Sequence, residues 1–274
     1  MTSVNTNVGA MIALQNLNAT NTQLETTQSR INTGKKVSSA KDNGAIWAIA
    51  QGQRADIGAL GAVKQSLDRG VAAVDVALAA GETVSDLLLQ MKEKALAATD
   101  GSLKTAARSA LNEDFQALRD QIASVTSNAE FNGINLLETG AGGFAALANA
   151  SGTSTLSVGS EVMALGSTNV SVSATQAIDT LSAATASLTA VNDSIDAVSG
   201  ALARLGTSSK ALTTHTTFVG KLTDALEAGV GNLVDADLAK ESAKLQALQT
   251  KQQLGVQALG IANQSPQLIL SLFK

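Results

Sequence analysis

The two ends of this chain carry no charged side chains, although chain ends are usually polar and weakly ordered. The first charged residue is Glu25, and none occurs between Lys251 and Lys274. Each uncharged end also contains apolar residues seven positions apart, a spacing that places them on one helix face and is typical of a coiled-coil seam. The sequence therefore predicts terminal helices built to pack, and it indicates assembly as the function. The residues assigned to this assembly surface are Leu17, Leu24 and Ile31 near the start and Leu254, Ile261 and Leu268 near the end.

The rest of the composition favours long, thinly packed helices. The 274 residues include one Pro, one Trp and no Tyr, and aromatic residues make up 2% of the chain. Because large aromatic side chains dominate thick protein interiors and Pro interrupts helices, we expect a mainly α fold. The absence of Cys excludes disulfides and thiolate chemistry, and the net charge of -4 argues against a nucleic-acid partner.

The order of predicted elements is nearly palindromic. Apolar residues recur every three or four positions over about 4–31, 45–99, 174–232 and 235–274, with a shorter helix over about 111–125. Between them, Asn132-Gly133 predicts a hairpin turn, and the alternating segments 155–158 and 170–173 predict short strands. The glycines inside the second long helix are interpreted as positions of close helix packing: Gly52, Gly58, Gly61, Gly70 and Gly81.

This order predicts that the two halves of the chain pair antiparallel, as a coiled-coil-like rod of long helices with a small β-hairpin and irregular tip. We expect an inner terminal domain from 1–34 plus 233–274, and a long-helix domain from 35–138 plus 174–232. A short, exposed and variable region is expected over 139–173.

Three stretches of the chain resemble bacterial flagellin. The first is residues 17–49, an amphipathic helix followed by Thr33-Gly34-Lys35-Lys36-Val37-Ser38-Ser39-Ala40-Lys41-Asp42-Asn43. The second is Glu130-Phe131-Asn132-Gly133-Ile134-Asn135, and the third combines Asp235-Ala236-Asp237-Leu238 with Ala262-Asn263-Gln264-Ser265-Pro266-Gln267. Each motif alone is modest, but the three occur in the right order and cover about 1–138 and 174–274.

The resemblance implies a structural subunit of the bacterial flagellar filament, a helical tube that acts as the propeller for swimming. It implies that the terminal helices line the inner tube and that residues 35–49 form a spoke. The candidates for contact between subunits in this spoke are Lys41, Asp42, Ile46 and Trp47. The implied partners are further copies of the chain, other flagellin paralogues, the export apparatus and its chaperone, and the filament cap and hook-associated proteins.

Two alternatives to a filament subunit remain open at this stage. One is a hook–filament junction protein of the same superfamily, and the other is a non-polymerising soluble coiled-coil module. An enzyme is not expected, because His215 is the only histidine and the chain has no nucleophile–base pair, cofactor fingerprint or metal-ligand spacing. We therefore predict no catalytic, cofactor or metal site, and the sequence selects no glycosylation site.

Neither a cleavable secretory signal nor a membrane-spanning segment is recognisable in the sequence. Together with the resemblance, this predicts a secreted protein of the extracellular flagellum that is exported without a cleaved signal peptide.

Overall fold

The computed structural model describes the backbone of residues 6–271 and the side chains of residues 6–264. It confirms a mainly α fold with two small antiparallel β-hairpins. The helices are α1 (Val8–Thr33), α2 (Gly44–Ala98), α3 (Thr105–Asn128), α4 (Leu181–Val234) and α5 (Leu238–Ser271). The strands are β1 (Glu130–Phe131), β2 (Ile134–Asn135), β3 (Phe144–Leu147) and β4 (Thr155–Val158).

The chain divides into two compact units, which we call the terminal unit (Met1–Ala55 with Ala225–Lys274) and the central unit (Asp56–Asp224). The helices α2 and α4 contribute residues to both units. Within the terminal unit, the segment after α1 bonds to the end of α4. There the backbone N–H groups of Lys36 and Val37 both donate to the carbonyl of Val234.

The central unit contains most of the buried apolar side chains. Here α2 and α4 run antiparallel, since Gly70 lies against Leu212 and Gly81 lies against Leu202. The largest fully buried side chains of this core are Phe115, Leu67, Leu88, Met91, Ile122, Leu136, Leu137, Met163, Ile178, Leu205, Leu212 and Val63.

Both hairpins join their strands in antiparallel register. Phe131 pairs with Ile134 across the predicted Asn132-Gly133 turn, where both turn residues have positive φ. The β3–β4 hairpin pairs Phe144 with Val158, so the predicted strand at 155–158 is also confirmed.

The predicted strand at 170–173 is wrong, because the structure has no strand there and α4 begins at Leu181 rather than near 174. Instead, residues 159–180 form an irregular segment whose apolar side chains pack inward, with Val170 and Val172 fully buried. Polar groups hold its backbone, since the hydroxyl of buried Ser194 accepts a hydrogen bond from Ser171 N. The expectation that 139–173 is exposed therefore does not describe these buried side chains.

Candidate assembly surface

The terminal unit contains an antiparallel pair of helices, α1 and α5. Near the start of α1, the side-chain amide of Asn7 donates to the carbonyl of Ala262 at 2.7 Å. Further along, Gln252 donates to the side-chain oxygen of Asn21 at 2.8 Å. At the other end Arg30 forms a 3.1 Å ion pair with Glu241. The residue number rises on one helix as it falls on the other, so the two helices pair antiparallel from Asn7 and Ala262 to Arg30 and Glu241.

The predicted residues of α1 lie on the side that faces α5. Leu17, Leu24 and Ile31 are all half-buried. Leu17 packs over Gly255, where a Cβ atom would lie 3.2 Å from its Cδ1. In α1 the seven-residue spacing therefore identifies the face that pairs within the chain.

The predicted residues of α5 lie elsewhere. Leu254 is 59% exposed and Ile261 is 70% exposed, while the side chain of Leu268 lies outside the described residues. A different series of α5 residues faces α1, with one member every three or four positions: Glu241, Leu245, Leu248, Gln252, Gly255, Leu259 and Ala262. Its members Leu248, Gly255 and Ala262 are also seven apart, but two of them are small, so a search for large apolar residues does not find them.

The outer faces of both terminal helices therefore carry large apolar side chains that nothing in the described chain covers. On α1 and α5 together, the exposed members are Val8, Met11, Ile12, Leu14, Leu238, Leu254, Val256 and Ile261. We call these residues the terminal apolar stripe. Water-exposed apolar groups in such number are typical of a protein-binding surface.

By contrast, the interior of the terminal unit is thin. Its buried side chains among the described residues are Thr27, Val37, Ala50, Val230, Val234 and Leu248. Moreover, the hydroxyl of Thr27 is buried and has no hydrogen-bond partner there. Because so little apolar surface is buried inside this unit, packing within one chain supplies only part of the stabilisation that two long helices need.

The predicted spoke begins as a tight turn held by Asp42. This carboxylate accepts hydrogen bonds from the backbone N–H groups of Ser38 and Ser39 at 2.9 and 3.0 Å and from both of their hydroxyls. These hydrogen bonds lower the pKa of Asp42 below its ordinary value. The bond from the Ser38 hydroxyl has the largest effect, and the bonds from the two backbone N–H groups come next. Lys41 is exposed, while Ile46 and Trp47 are half-buried. In one chain, Asp42 is therefore a local structural residue of the turn.

A pocket of about 470 Å³ lies beside this turn. Its lining includes Ile46 and Asp42 together with Arg30 and Glu241. The second carboxylate oxygen of Glu241 is buried without a hydrogen-bond partner in the described chain. The pocket is lined by charges of both signs.

The only histidine has a structural role in the central unit. The ring Nε2–H of His215 donates to the carbonyl of Ala148 at 2.8 Å, because a carbonyl can only accept. Among the described residues, no group of three or more His, Cys, Asp or Glu side chains is placed to hold a metal ion. None of the helices over 6–271 combines the length and apolar character of a membrane span.

Comparisons with known protein families match nearly the whole chain. The family model described as the bacterial flagellin N-terminal helical region matches residues 4–141, and the one described as the bacterial flagellin C-terminal helical region matches residues 188–273.

Curated relatives extend this similarity over the full length. The chain is 57% identical to flagellin FljM and 58% identical to flagellin FljN, both of Caulobacter vibrioides. Each alignment covers 100% of this chain and 99% of the relative. Among solved structures, a putative flagellar hook-associated protein from Vibrio parahaemolyticus aligns with a TM-score of 0.58 at 15% identity, over 71% of this chain and 100% of that one. At that identity the match supports the fold alone.

Proposed function

This chain belongs to the bacterial flagellin family and is a structural subunit of the flagellar filament, and we propose that its terminal apolar stripe forms the contacts between subunits. Membership of a structural family also confirms the prediction that the chain is not an enzyme. The protein belongs to the extracellular filament, and the relatives support self-assembly as its mode of action.

The observation that carries the proposal is the combination of an exposed stripe with a thin interior in the terminal unit. Leu254 and Ile261 are more than half exposed on α5, although apolar residues of this size are usually buried. Covering one such side chain contributes about 1.5–3 kcal/mol. When many copies surround one axis, each copy covers the stripe of its neighbours, and the absence of charge there avoids repulsion between identical ends.

The spoke and the predicted domain division belong to the same proposal. Residues 1–34 and 233–274 form the inner layer of the filament, and 35–49 connect it to the outer layer. Lys41 lies in the turn that Asp42 holds, and its side chain is exposed, which supports a role in contacting a neighbouring subunit. Ile46 and Trp47 each retain exposed surface that a second copy can cover.

Export and further partners follow from the same family relationship. The chain travels unfolded through the flagellar export apparatus with the help of a chaperone, without a cleaved signal peptide, and folds at the filament cap above the hook-associated proteins. The scarcity of buried residues in the terminal unit supports late folding, since a segment with little interior gains much of its stability only when a partner covers it. Several similar flagellins in one organism also support co-assembly with paralogues.

The decisive experiment measures filament growth from sheared seeds by electron microscopy and sedimentation. Wild-type protein is compared with the double variant Leu254→Ser/Ile261→Ser and with the control Leu181→Ser, whose side chain is 48% exposed at the start of α4. Wild type and control are expected to elongate seeds into long filaments, while the double variant stays soluble at the same concentration.

Three results would contradict these conclusions. Normal growth of the double variant would refute the role of the stripe. Wild-type protein that binds seed ends without extending them would indicate a junction protein instead. Indifference of the wild type to seeds would indicate a non-polymerising module.

A further inference from the structure

The central unit exposes one large aromatic side chain that its own fold does not explain. Phe218 on α4 is 55% exposed, whereas no other Phe or Trp among the described residues is among the exposed large apolar side chains. It lies in an open groove of about 510 Å³, which we call the Phe218 groove. The groove is lined by Leu156, Thr207, Lys210, Ala211, Thr214, His215 and Phe218.

Hydrogen bonds to the β3–β4 hairpin hold this groove in shape. Ser66 Oγ accepts from Leu147 N at 3.1 Å, and His215 donates to the next residue, Ala148. The hairpin therefore cannot slide along the helices without breaking both bonds, and Leu156 on β4 is a fixed wall. On the other side the ring of Phe218 lies 5.7 Å from the ring of His215. The groove thus exists before any partner arrives, which lowers the entropic cost of docking.

A second groove lies between α2 and α4 on the other flank of α4. It has a volume of about 340 Å³ and is lined by Asp68, Val71, Ala72, Asp75, Thr213 and Thr216. We call it the acidic groove. At 100° per residue, Thr213 and Thr216 lie about 140–160° around the helix axis from Ala211 and Phe218. The two grooves therefore occupy nearly opposite sides of α4 at the same level along its axis.

The two grooves are chemically complementary. The Phe218 groove offers an aromatic anchor and the ammonium of Lys210, while the acidic groove offers Val71 and Ala72 beneath two carboxylates. Among the described residues, none forms a salt bridge with Lys210, Asp68 or Asp75. Two different surfaces on opposite sides of one molecule give heterologous contacts, and these generate an open polymer rather than a closed dimer.

We propose that the Phe218 groove of one copy docks against the acidic groove of the next copy, with Lys210 facing Asp68 and Asp75. The partner is a second copy of this chain, and the inference rests on the proposed filament function. Phe218 is the anchor of this side-by-side contact, since aromatic side chains are enriched at the cores of protein interfaces. Lys210 and the two carboxylates set its register and exclude like-charged alternatives.

The test compares the critical concentration for growth from wild-type seeds. Phe218→Ser is expected to raise it about tenfold, because interface anchors typically contribute at least one decade of affinity. Lys210→Glu and Asp75→Lys are each expected to raise it by a similar factor, since each places like charges opposite one another. The combined variant Lys210→Glu/Asp75→Lys is expected to recover most of the loss when it grows on its own seeds. The control Lys104→Glu changes the net charge by the same amount and sign as Lys210→Glu, and Lys104 lines neither groove.

A cross-linking experiment provides an independent measurement that does not depend on the growth rate. Because the chain contains no Cys, the variant Ala72→Cys/Ala211→Cys carries one thiol in each groove and no other. Oxidation of its filaments is expected to produce a ladder of covalent multimers on a non-reducing gel. Each single-cysteine variant is expected to remain monomeric.

The outcomes separate this inference from the function on which it rests. One outcome is that the wild type forms filaments while Phe218→Ser grows with an unchanged critical concentration. In that case the pairing of the two grooves is refuted, and the proposed filament function stands. A combined charge variant that remains defective, or filaments of the double-cysteine variant that give no ladder, would also refute the pairing. A wild type that never elongates seeds would overturn both proposals.

Discussion

Gly70 and Gly61 lie on the same helix, α2, but the structure predicts opposite effects when each is changed to Ala. A Cβ atom at Gly70 would lie 2.6 Å from Cε2 and 2.9 Å from Cζ of Phe144. At Gly61, nothing lies within 4 Å of that position. The comparison is well matched, because both substitutions add one methyl group to a helix interior.

The expected magnitudes follow from two contributions. Replacing Gly by Ala inside a helix stabilises the folded chain by about 0.5–1 kcal/mol at either site. At Gly70 the ring must also retreat by about 1 Å to restore an ordinary carbon–carbon contact. The hydrogen bond between Leu147 and Ser66 opposes that movement, so an overpacking cost of about 1–3 kcal/mol is added. Gly61→Ala should therefore stabilise the protein, and Gly70→Ala should be less stable than Gly61→Ala by about 1–3 kcal/mol.

Urea unfolding of the monomer, followed by far-ultraviolet circular dichroism, measures this difference. Trp47 is the only Trp and lies in the terminal unit, so its fluorescence checks that both substitutions act in the central unit. In a Phe144→Ala background the overpacking contact is absent, and Gly70→Ala should become stabilising there. A Gly70→Ala variant as stable as Gly61→Ala in the wild-type background would refute the reasoning.

Three further changes test other features of the fold. Thr27→Val should stabilise the terminal unit by about 1 kcal/mol in urea unfolding followed by Trp47 fluorescence, because it removes a buried hydroxyl that has no partner. Ser194→Ala should destabilise the protein by about 1–3 kcal/mol in urea unfolding followed by circular dichroism, because it leaves the backbone N–H of Ser171 without an acceptor. Asp42→Asn should flatten the acid side of the stability–pH curve, measured by Trp47 fluorescence. The pKa of Asp42 is lowered in the folded state, so its contribution is present above the ordinary carboxyl pKa and is lost as the pH falls through the lowered value.

Neighbouring residues serve as controls for these predictions. Thr26→Val removes a hydroxyl that does have an acceptor, the carbonyl of Thr22, and should not stabilise the terminal unit as Thr27→Val does. Ser199→Ala removes only a bond from an exposed hydroxyl to Ile195 O, and its effect should be small. If Thr26→Val and Thr27→Val change the stability equally, or if Ser194→Ala and Ser199→Ala do, burial of the hydroxyl does not account for the effect. If the acid side of the stability–pH curve is the same in Asp42→Asn as in the wild type, the turn contributes nothing to the pH dependence of stability.

Local patterns in the sequence predict the helices and most turns of this protein. The three–four spacing of apolar residues predicts four long helices, and α2 forms from Gly44 to Ala98 despite five internal glycines. Gly34 ends α1 with a φ of 68°, as a C-cap glycine is expected to. These features depend on residues a few positions apart in the chain, so they can be predicted from the sequence.

The glycines of α2 show where such patterns stop being informative. The sequence predicts close packing at all five, yet of these only Gly70 and Gly81 meet another side chain. A Cβ atom at Gly52, Gly58 or Gly61 would meet nothing within 4 Å in the folded chain. The placement of the hairpin and of α4 in the folded chain distinguishes the two groups of glycines.

The sequence by itself determined that both ends are uncharged, apolar in pattern and helical, because composition and periodicity are properties of a chain and not of its fold. Only the tertiary structure decided which of two seven-residue series on α5 meets α1. The small side chains of Gly255 and Ala262 allow the helices to approach closely, so the larger Leu254 and Ile261 turn outward. Which face of α5 is buried depends on the side chains of α1, the helix that packs against it. Those side chains lie more than two hundred residues away in the sequence.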